Sequence, residues 1–382
     1  MKNFEFVQSI PAQTTLGEPD IREALEVWLE MINSAKKTIC IGQFYINSIP
    51  TEPMEQVLQA LIKAGERGVS VRMVTEKMMS NIYPQSIERL NKMKNIEVRL
   101  IESAALLGGI MHAKYIVVDG EDSFLGSQNF DYLSLTQIHE MGIRVKNKKF
   151  AEKILEVFEL DWELCETKKM PEINNPGSAP LEFVDIEYNG QPFKIAPVFS
   201  PQPLLPSTVS AELPHIVNLI NSAKFSIFLN VMEYSPKSQY KPDLYFDDLD
   251  GAFRRVAARG VNVKILATDW CMKNPNINYL KSISMLPNIE VKLMTIPRLK
   301  ERYLPYARVS HCKYLVIDKA RAWIGSSNWE PDYFFNSRNV SAIIEGAAPV
   351  LKLREIFLNS WTAEYSQYIE PMKNYRQPQI TD

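Results

Sequence analysis

The sequence is poor in the residues that metal centres and disulfide frameworks are built from. Among 382 residues there are four cysteines and four histidines. Cys40, Cys165, Cys271 and Cys312 show neither a CxxC pair nor zinc-site spacing, so reduced thiols, no metal and no other cofactor are expected. The opening Met1-Lys2-Asn3-Phe4-Glu5-Phe6 carries no apolar run long enough for a signal peptide or a membrane span. The expectation is a soluble chain, cytoplasmic unless a leader has been lost. An excess of charge of one sign is missing too. With 43 Lys+Arg against 45 Asp+Glu the net charge is −2, which excludes a global pull on nucleic acid and leaves only a local groove for such a partner. The 46% hydrophobic fraction is ordinary for a globular protein.

What is present is one chemical phrase written twice. His112-Ala113-Lys114, Asp119 and Gly126-Ser127-Gln128-Asn129 recur as His311-Cys312-Lys313, Asp318 and Gly325-Ser326-Ser327-Asn328, with identical spacing throughout. The runs from Lys114 to Asp119 and from Lys313 to Asp318 read as buried strands. Residues i and i+2 of a strand share a face, so His112 projects with Lys114 and His311 with Lys313, while Ala113 and Cys312 turn into packing. Lysine supplies positive charge for non-bridging phosphate oxygens, and the Ser and Asn of each Gly-Ser-x-Asn turn can add neutral hydrogen bonds. Each half is thus half of an anion cage.

Two imidazoles allow a phosphodiester to be cleaved through a covalent intermediate. One, neutral, attacks phosphorus; the other, protonated, gives its proton to the leaving oxygen and then serves as base for water or an alcohol. Histidine suits both jobs because its ordinary pKa lies near neutrality. The scheme requires no metal. His139 and His215 lie outside the patterns and read as surface or cap histidines.

The phrase His-x-Lys-x4-Asp-x6-Gly-Ser-x-Asn, present in both halves, resembles the signature of the phospholipase D superfamily. Leu107-Gly108-Gly109-Ile110-Met111-His112, Asp131 to Gln137 with Glu140, Tyr306 to His311, Val7 to Pro11 and Val231 to Tyr234 are similar to the branch containing the lysosomal single-strand 5′-exonucleases. The resemblance implies one His as nucleophile, the other as general acid, and Lys114, Lys313, Asn129 and Asn328 gripping phosphate. It also implies that Glu140, eleven residues after Asn129, supports a catalytic imidazole. The second half departs here, because Asn339 stands at the corresponding place after Asn328. Which ring attacks is left open, and Asp119 and Asp318 are as readily strand-end carboxylates that order a turn as direct participants.

The repetition extends beyond the motifs. Ile32-Asn33-Ser34-Ala35-Lys36 recurs as Ile220-Asn221-Ser222-Ala223-Lys224, and Asn95-Ile96-Glu97-Val98 as Asn288-Ile289-Glu290-Val291. Helical stripes (Ile21, Ala24, Leu25, Trp28, Leu29, Ile32; Met54, Val57, Leu58, Leu61, Ile62) alternate with strand-like runs (38–46; 225–231). The reading is α/β: two similar phospholipase D-type sandwich halves about a pseudo-twofold axis, with one active site at their interface. The halves are expected at 1–167 and 207–382. Between them a structured crossover, 168–206, holds eight of the 24 prolines and a hairpin signal at Asn189-Gly190. A duplicated chain completes its own site and need not oligomerise.

The substrate is read as single-stranded nucleic acid attacked from a 5′ end, or alternatively as a phospholipid head group, the same chemistry serving a phospholipase D or transphosphatidylase; a non-catalytic phosphate-binding protein is a third reading. Cations alternate with aromatics from Arg298 through Lys300, Arg302, Tyr303 and Tyr306 to Arg308, which could stack bases or form a solvated basic loop. The stretch Ala104 to Met111 could border an acyl chain or be a buried loop.

Overall fold

The computed structural model describes residues 3–238 and 243–381, so Met1 and Lys2 of the opening segment lie outside them. Each half is one mixed sheet. The first runs in the order Arg22–Glu23, Phe4–Ser9, Glu140–Lys146, Asp122–Gly126, Tyr115–Val118, Thr38–Gln43, Ser70–Glu76, Ile96–Ile101. The second runs Val184–Tyr188, Gln191–Ser200, Asn339–Glu345, Arg321–Gly325, Tyr314–Ile317, Ser226–Asn230, Asn262–Thr268, Ile289–Met294, Ser366–Tyr368. In both, parallel strands linked by helices give way to an antiparallel motif hairpin, as crossovers and tight turns respectively dictate.

The strand Phe4–Ser9, which the sequence patterns missed, pairs with Glu140–Lys146 just as Gln191–Ser200 pairs with Asn339–Glu345. It also shortens the first helix to Ala24–Ser34, because Arg22 and Glu23 are drawn into pairing with it. The Asn189-Gly190 hairpin forms, both residues adopting positive φ (51° and 73°) as a two-residue turn of this hand requires. Its strands belong to the second sheet.

Side-chain alternation sorts the motif strands between two cores. Ala113, Tyr115 and Val117 join Cys312, Tyr314 and Val316 in a core shared by both halves, which the closing helices Lys148–Thr167 and Ala347–Thr362 also enter. Ile116 and Val118 face the outer helices of the first half instead. His112 and Lys114 fall on that outer side, at the strand's entry. All four cysteines are free, and no described helix is long and apolar enough to cross a membrane.

The halves meet along two short parallel backbone ladders that mirror one another. His112 N–H donates to the Arg338 carbonyl (2.8 Å) and Arg338 N–H to that of Ile110 (2.9 Å); His311 N–H donates to the His139 carbonyl (2.7 Å) and His139 N–H to that of Val309 (3.0 Å). Gly109 lies in this seam, where a Cβ would stand 2.2 Å from the Asn336 carbonyl oxygen. The Ala104 to Met111 stretch is therefore a short helix, Ser103–Leu107, followed by a seam in which Gly109 and Met111 are buried.

Beside the first ladder the Arg338 guanidinium forks onto Asp161 (2.7 to 3.0 Å) and donates to the Ser200 and Leu204 carbonyls, with both side chains at most 2% exposed. Removing one member strands a buried charge, which typically costs about 3–5 kcal/mol. Asp161→Ala is expected to lower stability by that order in urea unfolding followed by tryptophan fluorescence. An unchanged midpoint would show that the pair does not brace the seam.

Candidate active site

The two motifs converge where the ladders cross. The His112 and His311 ring centroids are 6.5 Å apart, and the rings are 4% and 7% exposed, with Lys114 and Lys313 fully buried beside them. Each lysine Nζ donates to the carbonyl of its own motif histidine (2.6 and 2.7 Å), and an ammonium has three donors in all. The Oδ1 atoms of Asn129 and Asn328 are buried without a hydrogen-bond partner among the described residues. An amide oxygen only accepts, so the group that each amide can offer to an anion is its Nδ2 donor.

The support of each imidazole comes from the opposite half. Glu140, first residue of its strand and fully buried, places Oε2 2.8 Å from His311 Nδ1 while Ser134 Oγ donates to Oε1 (2.7 Å). Asn339, first residue of the matching strand, places Oδ1 3.0 Å from His112 Nδ1. The Asn339 amide is not free to turn, because its Nδ2 faces the Tyr333 and Ser337 carbonyls and Ser200 Oγ. An oxygen held in this way can only accept, so His112 carries its proton on Nδ1 and presents a lone pair on Nε2.

Electrostatics separate the rings further. Burial, then Lys114, Lys313 and His311, push His112 well below the ordinary histidine value, and its only offsetting contact is the neutral Asn339. Burial and the same two lysines push His311 down as well, but a carboxylate at hydrogen-bond distance favours the charged ring. Burial in turn raises Glu140 to about 7, against the pull of Lys313, Ser127, Ser134 and Lys114. Burial lowers both lysines, Lys313 to about 7, with Glu140 opposing. A bound phosphate anion would restore their charge.

The other residues singled out by pattern divide between support and structure. Ser127 and Ser326 turn their hydroxyls to the neighbouring strands, at Met141 and at Val340 and Asn339, and so orient the supporting residues instead of facing a ligand. Asp119 and Asp318 sit at the far ends of the motif strands, where positive φ values of 52° and 55° turn their carboxylates onto three consecutive backbone N–H groups each, 36–38 and 224–226. They tie the hairpin turn to the sheet. His139 is buried, not superficial, because it is the residue that docks the second ladder, with Ser310 and Cys312 around its ring. His215 is half-buried in the helix Glu212–Asn221. In the basic loop, Arg308 is spent on the Pro297 and Ala12 carbonyls and Arg298 on that of Gln379; Lys300, Arg302 and Tyr306 remain exposed. Phe44 and Tyr333, which no pattern singled out, flank the His112 ring at 5.5 and 4.8 Å. Among the described residues no group of His, Cys, Asp or Glu is placed to hold a metal ion.

Comparison with known proteins places this geometry. The family described as "Cardiolipin synthase, PLD-like domain" matches residues 28–162 and again 216–361. The chain is 32% identical to the virion nicking-joining enzyme of vaccinia virus, over 89% of this chain and 83% of that one. It is 30% identical to the 5′-3′ exonuclease PLD3 of Xenopus tropicalis, over 98% and 82%, and 30% identical to phospholipase D Z of Dictyostelium discoideum, over 89% and 85%. Its fold is similar to that of phosphatidylserine synthase from Haemophilus influenzae, with a TM-score of 0.65 at 13% identity, covering 90% and 85% of the two chains.

Proposed function

Because the chain belongs to the phospholipase D superfamily of phosphodiesterases, we propose that it cleaves single-stranded nucleic acid from a 5′ end through a covalent phosphohistidine on His112. The observation that carries this is the pair of rings 6.5 Å apart with unlike partners, one held by an amide and the other by a carboxylate. His112 Nε2 attacks phosphorus; a P–N bond forms as the P–O bond to the leaving group breaks, and His311 Nε2 delivers its proton to the departing oxygen. His311, now neutral, takes a proton from water, whose oxygen attacks phosphorus and releases His112. Lys114, Lys313, Asn129 and Asn328 hold the non-bridging oxygens, supplying charge stabilisation where it develops.

Nucleic acid is favoured over lipid by the relative of Xenopus tropicalis, which matches almost the whole chain. Among nucleic acids a single strand is favoured over a stiff duplex, because both lysines are fully buried. The test presents a 5′-labelled single-stranded oligonucleotide and, separately, phosphatidylcholine with a primary alcohol. Nucleotide release that persists in EDTA and vanishes in His112→Ala is expected. Phosphatidyl-alcohol formation with no oligonucleotide cleavage would overturn the substrate, and loss of activity in EDTA the metal-free chemistry.

A further inference from the structure

One wall of the site is lined with aromatic rings leading outward from His112. Phe44 lies against His112 (5.5 Å between centroids), Tyr45 meets Phe44 edge-on (5.3 Å), and Tyr83 stacks on Tyr45 (5.4 Å, 27°). Tyr83 is half-buried. From the other half Tyr306, 54% exposed and edge-on to Trp270 at 6.5 Å, comes close enough to act on the Tyr83 phenol electrostatically. Tyr45 is pinned by its hydroxyl to Asp131 (3.1 Å), which also accepts from Asn47 (3.0 Å). The platform is thus rigid at its inner end and open at its outer end.

The fold does not demand rings here. The pairing of Ile46 with Phe130 is repeated in the second half by Tyr234 with Trp329, which sets Glu233 at the place of Tyr45. Glu233 is ion-paired with Lys273 (2.5 Å). At this position the halves are therefore unlike, a ring on the first and an ion pair on the second, although they share one architecture. An aromatic wall running from an anion cage suits a ligand that joins a phosphate to a flat π-system.

Resting on the nucleic-acid reading above, we propose that Tyr83, backed by Tyr45 and accompanied across the seam by Tyr306, is a stacking platform for a nucleobase next to the scissile phosphate. Stacking accepts any base, because every base has a π-face, so the site binds without selecting sequence. It also separates a nucleic acid from an acyl chain, which needs apolar area but no ring.

The test compares Tyr83→Ala, Tyr83→Leu and Tyr83→Phe on a single-stranded oligonucleotide and on the same oligonucleotide with abasic residues at its 5′ end. Tyr83→Ala and Tyr83→Leu are expected to raise KM for the intact oligonucleotide roughly fivefold to a hundredfold, the range one base–aromatic stack spans. Tyr83→Phe keeps the ring and stays near the parent. On the abasic substrate the variants and the parent converge. A Tyr83→Leu protein that matches the parent on the intact strand, or a loss that persists on the abasic strand, would each overturn the platform. Failure of the parent to cut any oligonucleotide would instead overturn the substrate reading beneath it.

Discussion

Replacing His112 with alanine is expected to lower turnover by on the order of 10⁴-fold or more, because in the proposed mechanism the ring bonds to phosphorus and removing a nucleophile disables both half-reactions at once. The informative measurement is a burst. With methyl p-nitrophenyl phosphate, whose leaving group departs without a proton, His311→Ala retains an attacking His112 and releases about one equivalent of p-nitrophenolate. It then stalls, since no base remains to activate water. His112→Ala releases none. On an oligonucleotide, where the leaving alkoxide needs its proton, His311→Ala also loses about 10²–10⁴-fold in kcat, the usual share of a general acid. A burst from the His112→Ala protein, or none from His311→Ala, would exchange the two roles. The tautomer argument predicts the first pattern, since the Asn339 oxygen fixes the His112 lone pair on Nε2.

The second large effect is on pH dependence. In the proposed mechanism activity needs His112 neutral and His311 protonated, so kcat/KM is expected to climb as pH rises through the His112 value and to fall as pH rises through the His311 value. Both rings are pushed below the ordinary histidine range by burial and the lysines, which places both limbs of the bell on the acid side of neutrality. Glu140→Gln removes the carboxylate that favours charged His311, so the alkaline limb moves to lower pH and the peak falls by about 10- to 100-fold, as losses of an orienting partner commonly do. Asn339→Asp does the converse to His112. A carboxylate there raises the ring's pKa, so the acid limb moves to higher pH while the alkaline limb stays. Initial rates across pH for the parent and both variants decide the matter. Movement of the acid limb in Glu140→Gln would mean that Glu140 serves the nucleophile.

The reach of the sequence is clearest at the motif strands. Spacing alone put His112 with Lys114 and His311 with Lys313 on shared faces and sent Ala113 and Cys312 into packing, because side-chain direction on a strand follows from a period of two. The same period could not show that the Ser127 and Ser326 hydroxyls would be captured by adjacent strands, since that depends on sheet order and register. Nor could it choose between the roles open to Asp119 and Asp318, which their left-handed backbone turned toward the preceding strand. Arg308 stood in a run readable as base-stacking or as a solvated basic loop; its burial against distant carbonyls made it a brace.

Local pattern therefore determined the chemistry available: two imidazoles, two ammoniums and two amides, delivered in matched sets by a duplicated α/β unit. Tertiary structure decided how they divide the work. Glu140 was legible as a support for an imidazole, but only the crossed ladders at His139 and Arg338 show that it serves His311 of the other half while Asn339 serves His112. The reason is physical. Periodicity fixes where a side chain points relative to its own strand, whereas the partner it meets is set by how two separate sheets dock, and that information is held in no single stretch of chain.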